Sequence, residues 1–474
     1  IPTGRTNIPN FKIDNYGAEL SGPIIKDKLF FMVAGERLRG GRPIPEGPVD
    51  NNSGITIPNL TQAQVDRVST IAQNVYNYDT GGVLRNLGDK DDRVVGRLDA
   101  NLSDTQRVSV TGTYAKDAIN LLNNTFSSIT TGSPGLGLAS NAYIQGNQLY
   151  TGVVQLNSDW SDSFSTEARG FYKHYKRIQD PVLGRGFAQF RVCLNEVSGG
   201  SATGCENTGI AAGQGTAPVV SFGPDSSRQT NQLTTETWGG VVQGRLTMND
   251  HDLRLFSEVQ RVKIFNSFLQ NSSGNYYFDS ITDFQNRVAS SIAYGNAIPS
   301  LVPDDAAAKF SYMSFTFGVM DNWKITPTLN ISYGARYDLY GMDDVPALSN
   351  AFLGRYSVPR TVRGEQRVIG GNNANISGLG LFQPRFGFDW RPTSRISIRG
   401  GGGIFGGGTP DVYVSNSFSN TGVLTNSVSI NRAAPNSNTY TGATTNVAAG
   451  NAALNGVNGT TIASGVNDLL RNAT

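Results

Sequence analysis

The feature that most constrains this chain is a strict alternation of short and long connections between strand-like segments. Six short polar turns, of residue types that form tight hairpins, join such segments in pairs: Ile25 to Lys28, Ser103 to Thr105, Ser161 to Ser163, Asn249 to His251, Lys324 to Pro327 and Pro392 to Ser394. Long segments join one pair to the next: Leu38 to Lys90, Asp117 to Asn147, Ile178 to Gln229, Ser267 to Ala308 and Gly341 to Gly378. The pattern predicts an antiparallel sheet with every long connection at one end.

The strand-like segments have the length and the alternation of membrane-crossing strands. Each is roughly 10–14 residues long, which at ~3.3 Å per residue and a tilt near 45° spans about 25–30 Å. In "TLNISYGARYDLY" one face is apolar, and the other carries Arg336 and Asp338 in mid-strand. The stretch "FQPRFGFDWR" repeats this, with Phe386 and Phe388 opposite Arg385.

A soluble antiparallel sheet with one solvent-exposed face would show the same alternation of apolar and polar residues. Grouping the long connections at one end favours an outer-membrane barrel, which has short periplasmic turns and long extracellular loops. We therefore expect an all-β, antiparallel transmembrane barrel of the outer-membrane type, in contact with outer-membrane lipid. Trp160, Trp323 and Trp390 lie next to short turns, and Trp238 lies at the loop end of its strand, as in interfacial aromatic belts.

Composition excludes several other classes. The formal net charge of +2 gives no electrostatic case for nucleic acid or for anionic lipid. No stretch of about 18 apolar residues predicts a transmembrane helix. The chain begins at Ile1 without Met or a signal peptide and ends at Thr474 without a terminal strand, so both ends look cut.

One segment departs from the β pattern. In "LTQAQVDRVSTIAQNVYNY" the residues Val65, Val68 and Ala72 recur at helical intervals, and Thr61 with Gln64 forms a capping box. It predicts a short helix inside the first long loop. Stiffening that loop is the favoured role, and ligand recognition is the alternative.

Three motifs carry a family resemblance. "SGPIIKDKLFFMVAGER", "DKDDRVVGRLDANLSDTQRVSVTGTY" and "QPRFGFDWRPTSRISIRGGGGIFGG" resemble, in their order and spacing, segments of Oar-like TonB-dependent outer-membrane receptors. The resemblance covers about Tyr16 to Gly408. It implies a plugged barrel of about 22 strands, with a TonB-contacting segment ahead of the plug and often a carboxypeptidase-regulatory-like domain ahead of both.

The chain departs from that family pattern. We count about 12 strands, and neither plug nor C-terminal strands are visible. We therefore expect residues 1–408 to be a partial barrel wall with open edges near Tyr16 and Ile404. Residues 409–474, rich in Asn, Ser, Thr, Gly and Ala, are expected to be a truncated extracellular loop.

The resemblance implies that the whole protein binds and imports an extracellular substrate. Its partners would be that unidentified ligand and the TonB–ExbB–ExbD system, reached through the plug region. Two alternatives remain open: an outer-membrane adhesion or structural protein, and a passive porin. The substrate itself is not readable from these residues.

Charged residues in mid-strand are the candidate functional residues, because alternation points them toward a lumen. In the resembled family such residues hold the plug or line the ligand path. The ten candidates are Arg97, Asp99, Glu167, Arg169, Arg245, Arg336, Asp338, Arg385, Asp389 and Arg399.

No motif predicts catalysis, a cofactor or a metal site. Gly401, Gly403 and Gly406 match a dinucleotide fingerprint only as letters, because no helix is expected to follow. The two histidines, His174 and His251, lack the grouped ligands that a metal needs. Cys193 and Cys205 lie in one long loop and are expected to form a disulfide in an oxidising compartment.

Overall fold

We describe a computed structural model of the chain. It describes residues 11–127, 133–198, 205, 217–356, 358–362, 365–369, 371–408, 411–435, 437–442 and 446–472. The strands are β1 (Ile13–Ile25), β2 (Leu29–Pro43), β3 (Glu46–Gly47), β4 (Ile55–Thr56), β5 (Asn86–Asn101), β6 (Gln106–Leu121), β7 (Gly135–Gly137), β8 (Tyr143–Ser161), β9 (Phe164–Pro181), β10 (Gln189–Cys193), β11 (Val219–Phe222), β12 (Asn231–Met248), β13 (His251–Phe268), β14 (Asn275–Phe278), β15 (Ser291–Ala297), β16 (Ala308–Thr326), β17 (Leu329–Gly341), β18 (Val358–Val362), β19 (Glu365–Ile369), β20 (Gly380–Thr393), β21 (Ile396–Gly403), β22 (Thr425–Arg432) and β23 (Tyr440–Gly442). The helices are α1 (Gln62–Tyr76), α2 (Ile281–Gln285), α3 (Asn350–Tyr356), α4 (Asp411–Ser419), α5 (Val447–Leu454) and α6 (Ser464–Asn472), with 3₁₀ turns at Ala139–Asn141 and Pro303–Ala306.

Twelve strands form one antiparallel sheet, here called the wall. Their order is β1-β2-β5-β6-β8-β9-β12-β13-β16-β17-β20-β21, so each strand pairs with the next wall strand along the chain. Short turns join the pairs at one end, the turn end. In these turns Asp27 and Asn249 adopt φ of 61° and 49°, the left-handed conformation that tight hairpins need. The predicted strand number and the grouping of connections are confirmed.

The strands are longer than predicted. Most wall strands exceed the expected length, and β8 and β16 reach 19 residues each. The first long connection is therefore 44–85 rather than Leu38 to Lys90. At their loop ends the strands carry charge on both faces. Arg39 and Lys90 lie on one face, and Arg42 and Asp89 lie on the other. The apolar alternation is lost there although the hydrogen-bonded ladder continues.

The register gives the wall two different faces. Residues directly opposite each other share a face, and the face changes at every residue. The apolar face includes Val33, Leu98, Val110, Val154, Val242, Leu255, Phe317, Tyr333, Tyr337, Phe382, Phe386 and Ile398, all of them exposed. The other side, here called the charged face, includes Arg336 and Arg385.

The long connections fold together into a second unit, here called the loop domain. A seven-stranded mixed sheet, the loop sheet, runs in the order β23-β22-β15-β14-β10-β11-β7. Its strands come from the connections 122–142, 182–230 and 269–307 and from the residues after β21. The connection 44–85 adds α1, and the core between them is aromatic, with Phe190, Phe222 and Phe278 fully buried.

Helix α1 forms where the capping box predicted it. The Thr61 side chain accepts a hydrogen bond from the Gln64 backbone, and the Gln64 side chain accepts one from the Thr61 backbone. Val65, Val68 and Ala72 are buried in the loop core. The predicted helix is confirmed, and its apolar face stabilises the loop domain.

The C-terminal stretch contains ordered elements. Helix α4 packs at the loop end of the charged face, where Val414 and Phe418 meet Phe310 of β16. The Tyr312 hydroxyl donates to Asp411 Oδ1 at 2.9 Å. Burial raises the pKa of Asp411, and this hydrogen bond opposes the rise. Strands β22 and β23 and helices α5 and α6 belong to the loop domain.

Strands β1 and β21 are the two edges of the wall, and the sheet is not closed. The second edge is Ile396–Gly403, close to the predicted position at Ile404. Each edge strand leaves a row of backbone donors and acceptors that another strand can pair with.

Candidate functional site

The register places all ten predicted lumen residues on the charged face. On β17 and β20, for example, Arg336 lies opposite Gln383, and Asp338 lies on the same face two residues further along. The strand pairings carry this parity across the wall to Arg97 on β5. One surface therefore holds every candidate.

Four of the candidates surround one groove near the turn end. The groove has a volume of about 460 Å³. Its charged lining consists of Arg97, Asp99, Arg107, Asp159, Glu167 and Arg245. Strands β5, β6, β8, β9 and β12 each contribute at least one of these side chains.

The charges around the groove are paired. Arg97 Nη2 lies 2.7 Å from Asp99 Oδ1, and Arg169 pairs with Glu167. Arg245 pairs across a strand pair with Asp252 at 2.8 Å. Exposed pairs of this kind contribute little to the free energy of unfolding. Their main effect is to neutralise charge along the face.

A second cluster is more tightly bonded. Arg336 Nε lies 2.7 Å from Asp338 Oδ1. Thr316 Oγ1 donates to Asp338 Oδ1 at 2.8 Å, and Gln383 Nε2 donates to Asp338 Oδ2 at 2.6 Å. The Gln383 side chain is fully buried. The Asp338 carboxylate is therefore held by three neighbours.

A third cluster lies between the last two wall strands. Asp389 lies 3.3 Å from Arg391 Nε and 2.9 Å from Arg399 Nε. The pair with Arg391 follows one strand, and the pair with Arg399 joins β20 to β21.

Arg385 differs from the other nine candidates. Within the described residues no carboxylate lies within 4.0 Å of its guanidinium group, and its Nε has no hydrogen-bond partner. The guanidinium carbon lies 4.8 Å from the centre of the Phe405 ring. On the sheet it is flanked by Gly334 and Gly403. These glycines leave space around the one candidate cation that has no acid partner.

Sequence reasoning missed several residues of these clusters. Arg107 and Asp159 form a pair at 2.8 Å beside the short turns, where continued alternation would have included them. Phe405 follows β21, and no local pattern predicts its position over Arg385.

All four tryptophans lie on the apolar face. Trp160, Trp323 and Trp390 lie near the turn end, and Trp238 lies toward the loop end. Trp238 is 61% exposed, and its ring centre lies 4.4 Å from that of Tyr172. The two levels of rings bracket the apolar band between them.

The histidines take separate positions. His251 Nδ1 lies 2.7 Å from Asp321 Oδ2, which also accepts from the Tyr333 hydroxyl at 2.8 Å. His174 lies on β9, opposite Glu236. Among the residues that the structure describes, no three His, Cys, Asp or Glu side chains are grouped as metal ligands.

Cys193 and Cys205 are bonded in the structure, with Cα atoms 5.7 Å apart. They pack with Val219 and Tyr277 beside the loop sheet. The bond ties 205 to strand β10 of the loop sheet.

Helices contribute no membrane-spanning element in the described part of the chain, since none is long and apolar enough to cross a bilayer.

Comparison with known proteins gave several structural likenesses. The outer membrane transporter YddB from Escherichia coli has a TM-score of 0.44 and 9% identity, over 81% of this chain and 36% of its own. A mutant of the ferric enterobactin receptor PfeA from Pseudomonas aeruginosa has a TM-score of 0.40 and 13% identity, over 82% and 40%. The ferric-catecholate import receptor Fiu from E. coli K12 has a TM-score of 0.42 and 9% identity, over 90% and 55%. This chain thus spans 36% to 55% of the length of these three proteins.

A search of curated proteins found no match. The three TM-scores given above lie below 0.5, so the family assignment rests on a family model instead. The model described as "Outer membrane beta barrel domain" matches residues 2–473, nearly the whole chain. Its description agrees with the twelve-stranded antiparallel wall and with an outer-membrane location. The chain therefore belongs to the outer membrane beta barrel domain family.

Proposed function

We propose that this chain is the wall part of an Oar-like TonB-dependent receptor. In the whole protein it would bind an extracellular substrate and import it with energy from the TonB–ExbB–ExbD system. The observation that carries this proposal is the division of the wall into one apolar face and one charged face. Such a wall suits lipid outside and a polar, occupied lumen inside.

The apolar face is assigned to lipid. Phe386 is 51% exposed and Phe317 is also 51% exposed, each among other exposed apolar side chains. A continuous apolar surface of this size is unfavourable in water. The charged face is assigned to the lumen, and the loop domain to the cell exterior.

The lumen assignment gives the charged clusters a role. Paired residues such as Arg97 and Asp99 neutralise each other's charge. As such pairs they would contact the plug or line the substrate path. Arg385 is the candidate whose guanidinium group contacts Phe405 and Gln383 and has no carboxylate within 4.0 Å among the described residues. It would attract an anionic group on a plug segment or on a substrate.

The plug and the remaining strands are proposed to belong to the same full-length protein. Closing the wall requires partners for β1 and β21. A carboxypeptidase-regulatory-like domain ahead of the plug would complete the likeness to the Oar-like group.

The test uses the full-length protein purified from outer membranes. Two measurements separate the three candidate functions: conductance in a planar bilayer, and binding to the purified periplasmic domain of TonB. A plugged receptor should give no steady conductance and should bind TonB. A variant lacking the segment ahead of the plug should lose TonB binding and retain a folded barrel.

The other outcomes name the alternatives. Steady conductance without TonB binding would indicate a passive porin. Absence of both conductance and TonB binding would indicate an adhesion or structural protein. Either result would overturn the receptor proposal.

A further inference from the structure

Positive charges on the apolar face occur at one end only. In the described wall strands every Lys and Arg on this face lies near the loop end: Arg37, Arg39, Lys90, Lys116, Lys176, Arg261, Lys263 and Lys309. Acids at this end of the face are Asp14, Asp92, Asp180, Glu236 and Asp344. The cations outnumber these acids. Nearer the turns, the described wall strands carry the Asp321 carboxylate on this face, beside His251.

Three of these cations cluster on adjacent strands. On β13, Arg261 lies opposite Met313 and Lys263 lies opposite Ser311. Lys309 of β16 lies opposite Phe265, diagonal to Lys263. Diagonal neighbours on one face lie about 7–8 Å apart at Cα, within reach of long side chains. The cluster lines a depression of about 670 Å³.

These cations form no ion pair in the described part of the chain: no carboxylate lies within 4.0 Å of Arg261, Lys263 or Lys309. The depression also holds two acids. Glu236 lies directly across the strand pair from Lys263, and Asp344 accepts from the Ser311 backbone and hydroxyl at 2.7 and 3.3 Å. By contrast, Arg39 in the other half of the wall pairs with Asp92 at 2.6 Å.

The cluster begins at the aromatic level of the apolar face and extends from there toward the loop end. Trp238 lies opposite both Arg261 and Tyr172. Rings of this kind mark the boundary between hydrocarbon and headgroups. The cations therefore lie at headgroup level when the apolar face meets lipid.

Further down the same strands, the apolar face is hollowed. A depression of about 540 Å³ is lined by both small and large apolar residues. The small ones are Gly244, Ser257 and Ala335, and Leu255 and Phe317 are among the large ones. From Lys263 to Ser257 a tilted strand covers roughly 14 Å of depth, about one leaflet of the ~30 Å core.

We propose that β12, β13 and β16 form a binding site for one phosphate-bearing, acylated lipid of the leaflet at the loop end. Its phosphate contacts Arg261, Lys263 and Lys309, and one acyl chain fills the hollow around Gly244 and Ser257. Free phosphate would contact only the three cations and would leave the hollow empty. Because the cations and the hollow lie along the same strands, a single amphiphile could contact both.

This inference rests on the proposed function only in taking the apolar face as the lipid face. It requires neither import nor TonB. Binding of the TonB periplasmic domain, measured on the same preparations, therefore separates a failure of the lipid site from a failure of the receptor proposal.

The experiment titrates full-length protein in detergent with diphosphoryl lipid A and counts bound lipid by native mass spectrometry. The double variant Arg261→Gln/Lys263→Gln should weaken binding about tenfold or more. Gly244→Phe should weaken it as well by filling the hollow, where a Cβ would have only ordinary contact at 3.8 Å to Phe164. The variant Lys309→Gln removes one positive charge, whereas the double variant removes two, so it is the milder charge variant.

The matched control is Lys116→Gln, a cation at the same end of the same face on β6, away from the hollow. It should leave lipid A binding unchanged, and inorganic phosphate should not displace the lipid. Heat-modifiable mobility on gels checks that every variant is folded. Equal affinity in the folded charge variants, an equal loss in Lys116→Gln, or displacement by inorganic phosphate would each overturn the proposed site.

Discussion

The wall and the loop domain are both β-sheets, but they bury opposite surfaces. In the wall, Phe386 and Trp238 are more than half exposed. In the loop domain, Phe190 and Phe222 are completely buried. The wall strands are long and pair only in antiparallel fashion, whereas the loop sheet has short strands and two parallel pairs.

The difference follows from the solvent that each sheet meets. A sheet in lipid places apolar side chains outward and satisfies its backbone through a continuous ladder. A sheet in water gathers its apolar side chains inward and needs a second layer to cover them. Helix α1 provides part of that layer in the loop domain. The four predictions below test this contrast, from the largest expected effect to the smallest.

The wall should fail to insert when the 474-residue chain is expressed alone. Its two edges, β1 and β21, leave backbone groups unpaired, at several kcal/mol for each group in lipid. We expect aggregation on folding into liposomes, measured by heat-modifiable mobility and protease protection. A protected monomer would mean that the twelve strands close into a small barrel, and the porin alternative would then be favoured.

The loop domain should unfold independently of the wall. Phe190→Ala removes a ring whose centre lies 4.9–6.3 Å from six other aromatic rings. The loop domain should lose about 3–5 kcal/mol. In the full-length protein, limited proteolysis should cut the loops while heat-modifiable mobility is retained. Loss of barrel mobility together with the loops would show that the two sheets fold as one unit.

The two faces of the wall should respond differently to an added arginine. Phe386→Arg puts a charge on the apolar face and should destabilise a complete barrel by about 2–4 kcal/mol near the midplane. The matched control, Asn330→Arg, adds the same side chain on the charged face opposite Asp389, where a carboxylate can receive it. Urea unfolding in lipid vesicles measures both. Equal effects would contradict the face assignment.

The disulfide should stabilise only the loop domain. Changing Cys193 and Cys205 to Ser releases a loop closed over 12 residues, at about 2–3 kcal/mol in the chain-entropy model. Non-reducing mass analysis should detect the bond in the wild-type protein. The variant should be cut faster by protease in this loop and leave the wall unchanged. Free thiols in the wild type would contradict the predicted pairing.

Much of the wall was predictable because its signals are local. The alternation around Arg336 and Asp338 predicted which side chains share a face, and the turn residues predicted the hairpins. Thr61 and Gln64 similarly predicted the start of α1. Each of these patterns lies within a few residues of the feature it predicts.

The rest depends on distant contacts. Strand Val219–Phe222 has four residues, all buried, which is too short for periodicity to distinguish strand from helix. Its parallel partner, Gly135–Gly137, lies some 80 residues earlier. Likewise the spacing along β20 predicted the face of Arg385 but not its lack of an acid partner. That depends on which side chains the neighbouring strands bring opposite it.

The connectivity of the two sheets also predicts the order in which they form. Each wall hairpin can pair as soon as its own residues are available, because its partners are next along the chain. The loop sheet joins β7 to β22 and β23, and eight wall strands lie between them in sequence. Its pairing of β15 with β22 therefore has high sequence separation, and contacts of that kind form slowly. We expect the wall hairpins to form before the loop sheet is complete.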